Sequence, residues 1–364
     1  MATSSRPVIS RQLPVAVIEG IATGVPEGMR KQSEVADMKR QKIQRLYTNT
    51  RIDHRHMAVD PLHPDFNRNM SIRQRMDLFL ELATPLAVRV CADALAQNGV
   101  HPSTADIGRL VMVTSTGFVA PGLDIALIEQ LGLSRDISRS SVSFMGCAAA
   151  MNGLRVAADS VRAHPGTKTL VCCLELSSVN AVYDDNLNDI IISSLFADGC
   201  AAMVIGSVSE GQQPRPNSIV IRDQFQRLIE GSKEGITLGI NPNGITCELS
   251  PKLPSFIYND LAPVIREKLG LQQLSLSDID HWAIHPGGPK IIENSLQSLG
   301  LDDSVAETSW QVLKEYGNML SASLPFVLKE MMQKSSPGST AGQKGVAFSF
   351  APGVSVEGMI FELV

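Results

Sequence analysis

The sequence contains a cysteine, Cys147, in a setting that favours nucleophilic chemistry. Cys147 follows Gly146 and precedes an alanine-rich stretch that predicts a helix over 148–161. The N-terminus of a helix carries free N–H groups and a partial positive charge, and both favour a thiolate. Small residues on either side of the cysteine would let a substrate approach the sulfur. A buried structural cysteine explains the position equally well when this residue is considered alone.

Two further residues could assist such a nucleophile. His285 ends a predicted strand and is followed by Pro286 and two glycines, which leave backbone N–H groups uncovered. Asn318 follows Gly317 at the start of a second predicted helix. Each has an ordinary structural explanation, because a single histidine is commonly a packed core residue and an asparagine commonly caps a helix. Position alone therefore assigns chemistry to neither residue.

The elements that must position these residues occur twice in the chain. Segments 106–117 and 278–287 both have the pattern of a helix cap, a buried strand and a turn. A Leu-Gly-Leu motif and the two helix starts described above also recur, all roughly 170 residues apart. Strands alternate with helices throughout, which is typical of α/β proteins. The sequence therefore predicts a duplicated α/β fold with halves at 1–210 and 211–364.

Duplication changes the interpretation of the three residues. Two similar halves packed about a pseudo-twofold axis place corresponding elements next to each other. The starts of the two helices would then lie together, with the end of the His285 strand beside them. Because a thiol, an imidazole and an amide have complementary chemistry, we expect Cys147, His285 and Asn318 to form a single catalytic site.

Composition excludes several other classes of protein. The chain has 364 residues, of which 44% are hydrophobic and 19% charged, with a formal net charge of −5 at pH 7. This composition is typical of a globular protein with a large core, and the negative charge disfavours broad nucleic-acid binding. No apolar run reaches the roughly 18 residues of a membrane span, and the N-terminus lacks the pattern of a secretory signal. Because six cysteines in such a chain indicate reduced thiols, we expect a cytoplasmic protein without a membrane span.

Common cofactor and metal motifs are absent from the sequence. There is no glycine-rich dinucleotide or P-loop motif, no His-Glu-x-x-His and no Cys-x-x-Cys. His54 and His56 could ligate a metal, and the acidic stretch 183–189 could bind calcium, although it lacks the glycine and closing glutamate of an EF-hand loop. A solvated polar segment is the competing explanation for both, and we favour it. We predict neither a metal site nor a bound cofactor.

The motifs resemble those of the thiolase-fold condensing enzymes, and among them the type III polyketide synthases, the chalcone synthase-like family. The catalytic triad of that family matches Cys147 in FMGCAAA, His285 in IHPGGPKII and Asn318 in YGNMLSAS. Three further blocks match, at 115–122, 195–202 and 350–353. Several blocks are more similar to microbial and brown-algal members than to land-plant members. The resemblance implies a homodimer with a thiolase-like five-layer αβαβα fold made of two duplicated halves.

The resemblance also implies an iterative decarboxylative Claisen condensation. Cys147 would take an acyl group from a CoA starter, and an ion pair with protonated His285 would lower the pKa of its thiol. Malonyl-CoA would then lose CO₂, and His285 and Asn318 would stabilise the resulting enolate. Backbone N–H groups of Cys147 and of the Pro352-Gly353 segment would hold the oxyanion. The substrates are CoA thioesters, and no separate cofactor is implied.

The identity of Asn318 separates related reactions. A biosynthetic thiolase would have a second cysteine here, and a hydroxymethylglutaryl-CoA synthase would use a glutamate as base. An asparagine cannot act as a base, so decarboxylation has to generate the nucleophile. Ketoacyl-ACP synthase III shares the Cys–His–Asn triad, but its histidine is usually followed by Gln-Ala-Asn, whereas Pro-Gly-Gly-Pro follows His285. The alternative function is that of a ketoacyl-ACP synthase III-like enzyme, which condenses acyl-CoA with malonyl-ACP.

Positions near the triad bear on CoA binding and on the dimer. Lys42 and Arg45 match two basic residues that bind CoA phosphates in plant members, and their spacing places them on one helix face. The third basic position is Asn49. An ordinary solvated helix face is the competing explanation for the pair. Plant members place a methionine at the position of Ala120, where it enters the cavity of the neighbouring subunit.

The cavity positions depart from those of plant chalcone synthases. Phe196 matches one gatekeeper phenylalanine, whereas the other position is Cys247, whose small side chain would widen the passage from the CoA tunnel. Three positions that tune product size carry larger residues than in plant enzymes, namely Asn180, Leu238 and Leu320. We therefore expect an acetyl or fatty acyl starter rather than a coumaroyl starter, and a phloroglucinol-, resorcinol- or pyrone-type product.

Overall fold

The central strands are apolar on both faces, which is typical of strands covered by helices on either side. The computed structural model describes residues 14–37, 41–60, 70–97, 99, 106–180, 187–209, 211–241, 244–334 and 342–364. The strands are β1 (Val15–Gly24), β2 (Met29–Lys31), β3 (His54–His56), β4 (Ile107–Thr114), β5 (Ser138–Ser143), β6 (Lys168–Leu176), β7 (Asp198–Val208), β8 (Ile219–Leu228), β9 (Ile236–Asn241), β10 (Gly244–Leu249), β11 (His281–Ile284), β12 (Gln343–Ala351) and β13 (Ser355–Leu363). The helices are α1 (Gln32–Asp37), α2 (Gln41–Thr48), α3 (Ile72–Gln97), α4 (Leu123–Leu131), α5 (Ala149–Ala163), α6 (Ser177–Asn180), α7 (Leu187–Leu195), α8 (Leu253–Leu271), α9 (Pro289–Leu299), α10 (Glu307–Tyr316) and α11 (Ser323–Lys334).

Nine strands form one mixed sheet in the order β11-β12-β13-β8-β1-β7-β6-β4-β5. The order β1-β7-β6-β4 in the first half corresponds to β8-β13-β12-β11 in the second half. The first strands of the two halves pair antiparallel, with Val17 opposite Val220 and Ile18 opposite Ile219. This pairing relates the halves by a pseudo-twofold axis and makes the sheet continuous across them. The predicted boundary, after residue 210, falls between β7 and β8 and stays a prediction.

The hydrophobic core is divided into layers. α5 and α11 share one buried cluster with one face of the strands of both halves, so these two helices lie between the halves. The opposite face of the first-half strands packs against α3 and α4. The opposite face of the second-half strands packs against α8, α9 and α10. Helix and sheet therefore alternate in five layers, which confirms the predicted thiolase-like fold class.

The layers bring the segments of the predicted site together. The two central helices, α5 and α11, are each preceded by a short 3-10 turn, Gly146–Ala148 and Leu320–Ala322. These turns contact each other, so the starts of the two helices meet as the repeat predicts. In the described part of the chain, no helix is long and apolar enough to cross a bilayer.

Candidate active site

The backbone around Cys147 is bent in a way that exposes the sulfur. Gly146 has a φ of 58°, in the left-handed region that favours glycine. A β-carbon at Gly146 would also lie 3.1 Å from the ring of Pro352, so the position has little room for a side chain. The Gly146 N–H donates to Ser115 Oγ at 3.1 Å, which holds the turn in place. The structure describes all six cysteines, and Cys147 alone is not buried.

Asn318 lies next to this cysteine and is held on several sides. Its backbone N–H donates to the carbonyl of Leu195 at 2.9 Å. Its Oδ1 accepts from the Leu320 N–H at 2.9 Å, and its Nδ2 donates to the Gly287 carbonyl at 3.1 Å. The amide lies 4.0 Å from Cys147 Sγ. Asn318 therefore caps the following turn and, at the same time, presents its amide to the sulfur.

The imidazole of His285 faces the same space. His285 directly follows β11, and its N–H donates to the carbonyl of Phe348 at 3.0 Å. Its side chain is 2% exposed, and neither ring nitrogen has a hydrogen-bond partner among the described residues. A β-carbon at Gly287 would lie 3.0 Å from the ring, so this glycine leaves room for the imidazole. Buried polar groups normally have a hydrogen-bond partner. The unpaired ring nitrogens of His285 are therefore available to a ligand in the cavity.

A single cavity of about 390 Å³ connects these three side chains. Cys147, His285 and Asn318 all line it, and most of the other lining residues are apolar. Among the described residues that line the cavity, none is an aspartate or a glutamate. The arrangement suits a covalent thiol nucleophile with hydrogen-bond donors beside it.

Burial determines the protonation of the resting site. Removal from water raises the pKa of the Cys147 thiol well above its usual value. The same effect lowers the pKa of the His285 imidazole to about 3. Both directions favour a neutral thiol beside a neutral imidazole. The expected thiolate–imidazolium pair stays a prediction, because desolvation opposes both charged forms while their mutual attraction favours them.

Comparison with known proteins identifies the family. The family model for the N-terminal domain of chalcone and stilbene synthases matches residues 9–209, and the model for their C-terminal domain matches residues 220–364. The chain belongs to the chalcone and stilbene synthase family. It is thus a type III polyketide synthase, as the resemblance implied.

Three relatives show the extent of the similarity. The chain is 52% identical to Alpha-pyrone synthesis polyketide synthase-like Pks18 of Mycobacterium tuberculosis, over 96% of this chain and 92% of that protein. It is 30% identical to 3,5-dihydroxyphenylacetyl-CoA synthase of Amycolatopsis balhimycina, over 98% of this chain and 97% of that protein. The crystal structure of PKS-I from the brown alga Ectocarpus siliculosus matches with a TM-score of 0.91 and 40% identity, covering 98% of this chain and 100% of that chain. These similarities confirm the microbial and brown-algal character of the sequence and do not favour a ketoacyl-ACP synthase III.

The predicted gate and size-determining residues of this polyketide synthase lie between two spaces. Phe196, Leu238, Cys247 and Leu320 line the main cavity and also a smaller chamber of about 80 Å³. Asn180 lines only the chamber, whose other walls carry several hydroxyl side chains. These residues therefore form the partition between the main cavity and the smaller chamber. Their role in selecting the substrate stays a prediction.

The predicted second oxyanion donor is wrong in this conformation. Gly353 N–H donates to the carbonyl of Ile236 at 2.9 Å, so it is already used. Pro352 has no N–H, and its ring packs against Gly146. Neither residue lines the cavity. Pro352 instead packs against the turn of the nucleophile, and the Cys147 N–H is left as the predicted oxyanion donor.

Of the two basic residues expected to bind CoA, only Arg45 has a described side chain. The side chain of Lys42, in α2, lies outside the described residues, while Arg45 is exposed and absent from the cavity walls. Lys290, at the start of α9, does line the cavity, and its side chain is largely exposed, which places it at the opening. The sequence reasoning missed Lys290, although its place just after the glycines that follow His285 was a usable signal.

Neither metal candidate from the sequence gains support. His56 Nδ1 lies 3.0 Å from the Pro26 carbonyl, within hydrogen-bond distance, and His54 lies at the other end of the same short strand. Residues 181–186 of the proposed calcium stretch lie outside the described residues. Within the described ranges, no three His, Cys, Asp or Glu side chains form a group that could hold a metal ion.

A buried carboxyl group, Glu175, joins the segments around the triad. It accepts hydrogen bonds from Ser115 N–H at 2.9 Å, Thr116 Oγ1 at 2.8 Å and Ser321 Oγ at 2.5 Å. Ser115 supports the Cys147 turn, and Ser321 lies in the turn that follows Asn318. Burial raises the pKa of Glu175 to about 7. The sequence reasoning missed this residue, although a single acid inside the apolar strand 168–176 was a signal.

We expect Glu175→Gln to change how stability depends on pH. Between about pH 4.5 and 7 the folded protein holds a proton on Glu175 that the unfolded chain releases, so the free energy of unfolding falls as pH rises. Across this pH range the group lowers the free energy of unfolding by about 3 kcal/mol in total. Chemical denaturation from pH 4.5 to 7.5 should show that the substitution removes that contribution. Glu129→Gln, at an exposed position of α4, is the control, and an equal slope in Glu175→Gln and the wild type would contradict the prediction.

Proposed function

We propose that this type III polyketide synthase extends an acetyl- or fatty acyl-CoA starter with malonyl-CoA and cyclises the chain to a phloroglucinol-, resorcinol- or pyrone-type product. The observation that carries the proposal is the convergence of Cys147, His285 and Asn318 on one apolar cavity. An apolar cavity suits an acyl chain, and an asparagine in place of a basic residue suits a nucleophile generated by decarboxylation. The substrates are CoA thioesters, and no further cofactor enters the reaction.

The first step loads the starter on the enzyme. The thiol of Cys147 transfers its proton to a ring nitrogen of His285 as the sulfur attacks the starter thioester. The acyl–sulfur bond to CoA breaks, the bond to Cys147 forms, and the CoA thiolate leaves with the proton. Desolvation favours the neutral form of each group, so in this mechanism the proton transfer accompanies the attack on the substrate.

The second step generates and uses the carbon nucleophile. Malonyl-CoA loses CO₂, and the electron pair of the broken bond forms a thioester enolate. Asn318 Nδ2 and the ring N–H of His285, which is neutral again after loading, donate to the enolate oxygen. The enolate carbon attacks the acyl group on Cys147, whose backbone N–H holds the tetrahedral oxyanion. Collapse expels the Cys147 thiolate, which takes up a proton from solvent to restore the thiol, and the extended chain leaves as a CoA thioester for the next cycle.

The relatives inform the mode of ring closure. The mycobacterial relative is named for alpha-pyrone synthesis, and a second relative is named for a dihydroxyphenyl product. The higher identity to the former favours lactone closure to a pyrone among the three product classes.

Product analysis tests the proposed function. Purified protein is incubated with malonyl-CoA alone and with acyl-CoA starters from acetyl to C20, and the products are identified by mass spectrometry. We expect pyrone or phenolic polyketides from CoA thioesters alone. If turnover requires malonyl-ACP instead of malonyl-CoA, the enzyme is a ketoacyl-ACP synthase and the proposal fails.

The gate position gives a prediction about starter length. Cys247→Phe should narrow the partition between cavity and chamber and lower kcat/KM for a C16 starter by about tenfold or more, while acetyl-CoA turnover changes little. Competition between C16-CoA and acetyl-CoA measures the ratio. Glu248→Phe adds the same ring at the adjacent exposed position of β10 and is the matched control. An unchanged ratio in Cys247→Phe would show that Cys247 does not limit the passage.

We also propose a homodimer. β5 is an edge strand of the sheet, and beside it lies a groove of about 920 Å³ lined by Phe118, Ala120 and Phe144. Phe118 is 61% exposed, and an exposed aromatic beside an unpaired strand edge favours association with a second copy. Ala120 lies in this groove, so its small side chain would contribute little to the partner's cavity. Light scattering should give a mass near twice 39.2 kDa, and the mass of one chain would refute the dimer.

The cellular setting is also a proposal. All six cysteines are unpaired, which fits a reducing compartment and supports the expected cytoplasmic location. The formal net charge of −5 disfavours broad binding of nucleic acids. A small CoA thioester needs only a few local basic residues for its phosphates and is compatible with this charge.

A further inference from the structure

A buried arginine holds the segment to which Asn318 is attached. Arg55 is the middle residue of β3 (His54–His56), and its side chain is 1% exposed. Its Nη1 donates to the carbonyl of Ser193 at 2.6 Å and to the carbonyl of Phe196 at 2.9 Å. The proposed reaction assigns no role to Arg55. Only its neighbours, His54 and His56, were considered in the sequence, as metal ligands.

The Ser193 carbonyl lies in the last turn of α7, and Phe196 directly follows the helix. The last carbonyls of a helix have no partner within the helix and carry a partial negative charge, so a buried cation satisfies both needs there. Arg55 Nε donates to Gln32 Oε1 at 2.8 Å, which orients the guanidinium plane. A planar guanidinium can hold several acceptors at once in fixed directions, whereas a lysine ammonium cannot. Arg55 therefore fixes the end of α7.

The end of α7 in turn fixes Asn318. The Leu195 carbonyl accepts from the Asn318 N–H at 2.9 Å, and the Ala197 N–H donates to the Asn318 carbonyl at 2.8 Å. Gly317 packs directly on the arginine, since a β-carbon there would lie 3.0 Å from Arg55 Cγ. The main chain that carries the Asn318 amide is thus held between the arginine stem and the segment that the guanidinium binds.

We propose that Arg55 is a positioning residue for the Asn318 amide in malonyl-CoA decarboxylation. The inference rests on the proposed role of Asn318. Hydrogen-bond donors stabilise an enolate only when they are already aimed at its oxygen, and a displacement of about 1 Å can cost up to 100-fold in rate. Without Arg55 the carbonyls of α7 lose a partner, the segment around Leu195 shifts, and the amide shifts with it.

A double-mutant cycle tests this proposal. Arg55→Met and Asn318→Ala are made singly and together, and decarboxylation of malonyl-CoA is followed by release of CO₂. We expect about a tenfold loss of kcat in Arg55→Met and a loss of about 100-fold or more in Asn318→Ala. The double variant should equal Asn318→Ala within twofold, because Arg55 acts only through the amide.

Two controls separate positioning from general destabilisation. Arg75 is equally buried and donates to the Val179 carbonyl at 2.6 Å, away from the segment that holds Asn318. Arg75→Met should have the same effect on rate with and without Asn318→Ala. Arg55→Lys keeps the charge and should recover part of the lost rate, and it replaces Arg55→Met in the cycle if that variant does not fold.

The outcomes distinguish the two proposals. Losses that multiply in the double variant, or an Arg55 variant that decarboxylates at the wild-type rate, would overturn the role of Arg55 and leave that of Asn318 intact. An Asn318→Ala enzyme with unchanged decarboxylation would instead overturn the proposed role of Asn318. Starter loading on Cys147, read by intact mass, should be unchanged in Arg55→Met, since the nucleophile turn is held by Ser115 and not by α7.

Discussion

Replacing Cys147 with alanine is expected to abolish condensation and to leave malonyl-CoA decarboxylation measurable. Condensation needs a thiol to carry the acyl chain, and loss of a covalent nucleophile lowers kcat on the order of 10⁴-fold or more. Decarboxylation needs only the donors that hold the enolate, His285 and Asn318, and both remain in the cavity. Polyketide formation and CO₂ release are measured in parallel on the same protein sample.

Intact-mass spectrometry adds a direct readout for this variant. Wild-type protein incubated with a starter should gain the mass of one acyl group, and Cys147→Ala should gain none. Cys173→Ala is the matched control, because this thiol is buried in β6 and the mechanism does not use it. Acylation or product formation by Cys147→Ala would exclude Cys147 as the nucleophile.

Replacing His285 with alanine is expected to slow both loading and decarboxylation. The imidazole accepts the thiol proton in the first step and donates to the enolate in the second. General acid–base assistance contributes roughly 10²- to 10⁴-fold, and the loss of an oxyanion donor costs about 10²- to 10³-fold. Condensation, which uses both functions, should therefore fall below the detection of a standard product assay.

The prediction for His285 is checked by measuring the rates of acylation and decarboxylation separately. Acylation of Cys147 is followed by intact mass, and decarboxylation by CO₂ release. His281→Ala is the control, because His281 lies at the start of the same strand, where its Nε2 pairs with Gln343 Oε1 at 2.9 Å. A His285→Ala enzyme that decarboxylates normally would assign enolate stabilisation to Asn318 alone.

Much of the fold could be predicted because the same pattern of strands and helices occurs twice in the chain. The strand of segment 106–117 and that of segment 278–287 are β4 and β11, which hold corresponding places in the two halves of the sheet. The repeat also predicted that the starts of α5 and α11 would meet. The antiparallel pairing of β1 with β8 was not predicted, because register between strands far apart in sequence depends on packing that no local pattern records.

The sequence by itself determined the family, the fold class and the three residues that converge on the cavity. Residue type, local spacing and duplication carry that information, since the starts of equivalent helices have to meet in a duplicated fold. These features are local or periodic, and both kinds of pattern can be recognised in a single amino-acid sequence.

Only the tertiary structure decided the state of the site and its supports. The desolvation that raises the pKa of Cys147 and lowers that of His285 depends on everything packed around the cavity and not on neighbours in sequence. The same holds for the occupied Gly353 N–H and for the hydrogen bonds of Glu175 and Arg55. These interactions join residues from 23 to 146 positions apart, and such contacts exist only once the layers of the fold have assembled.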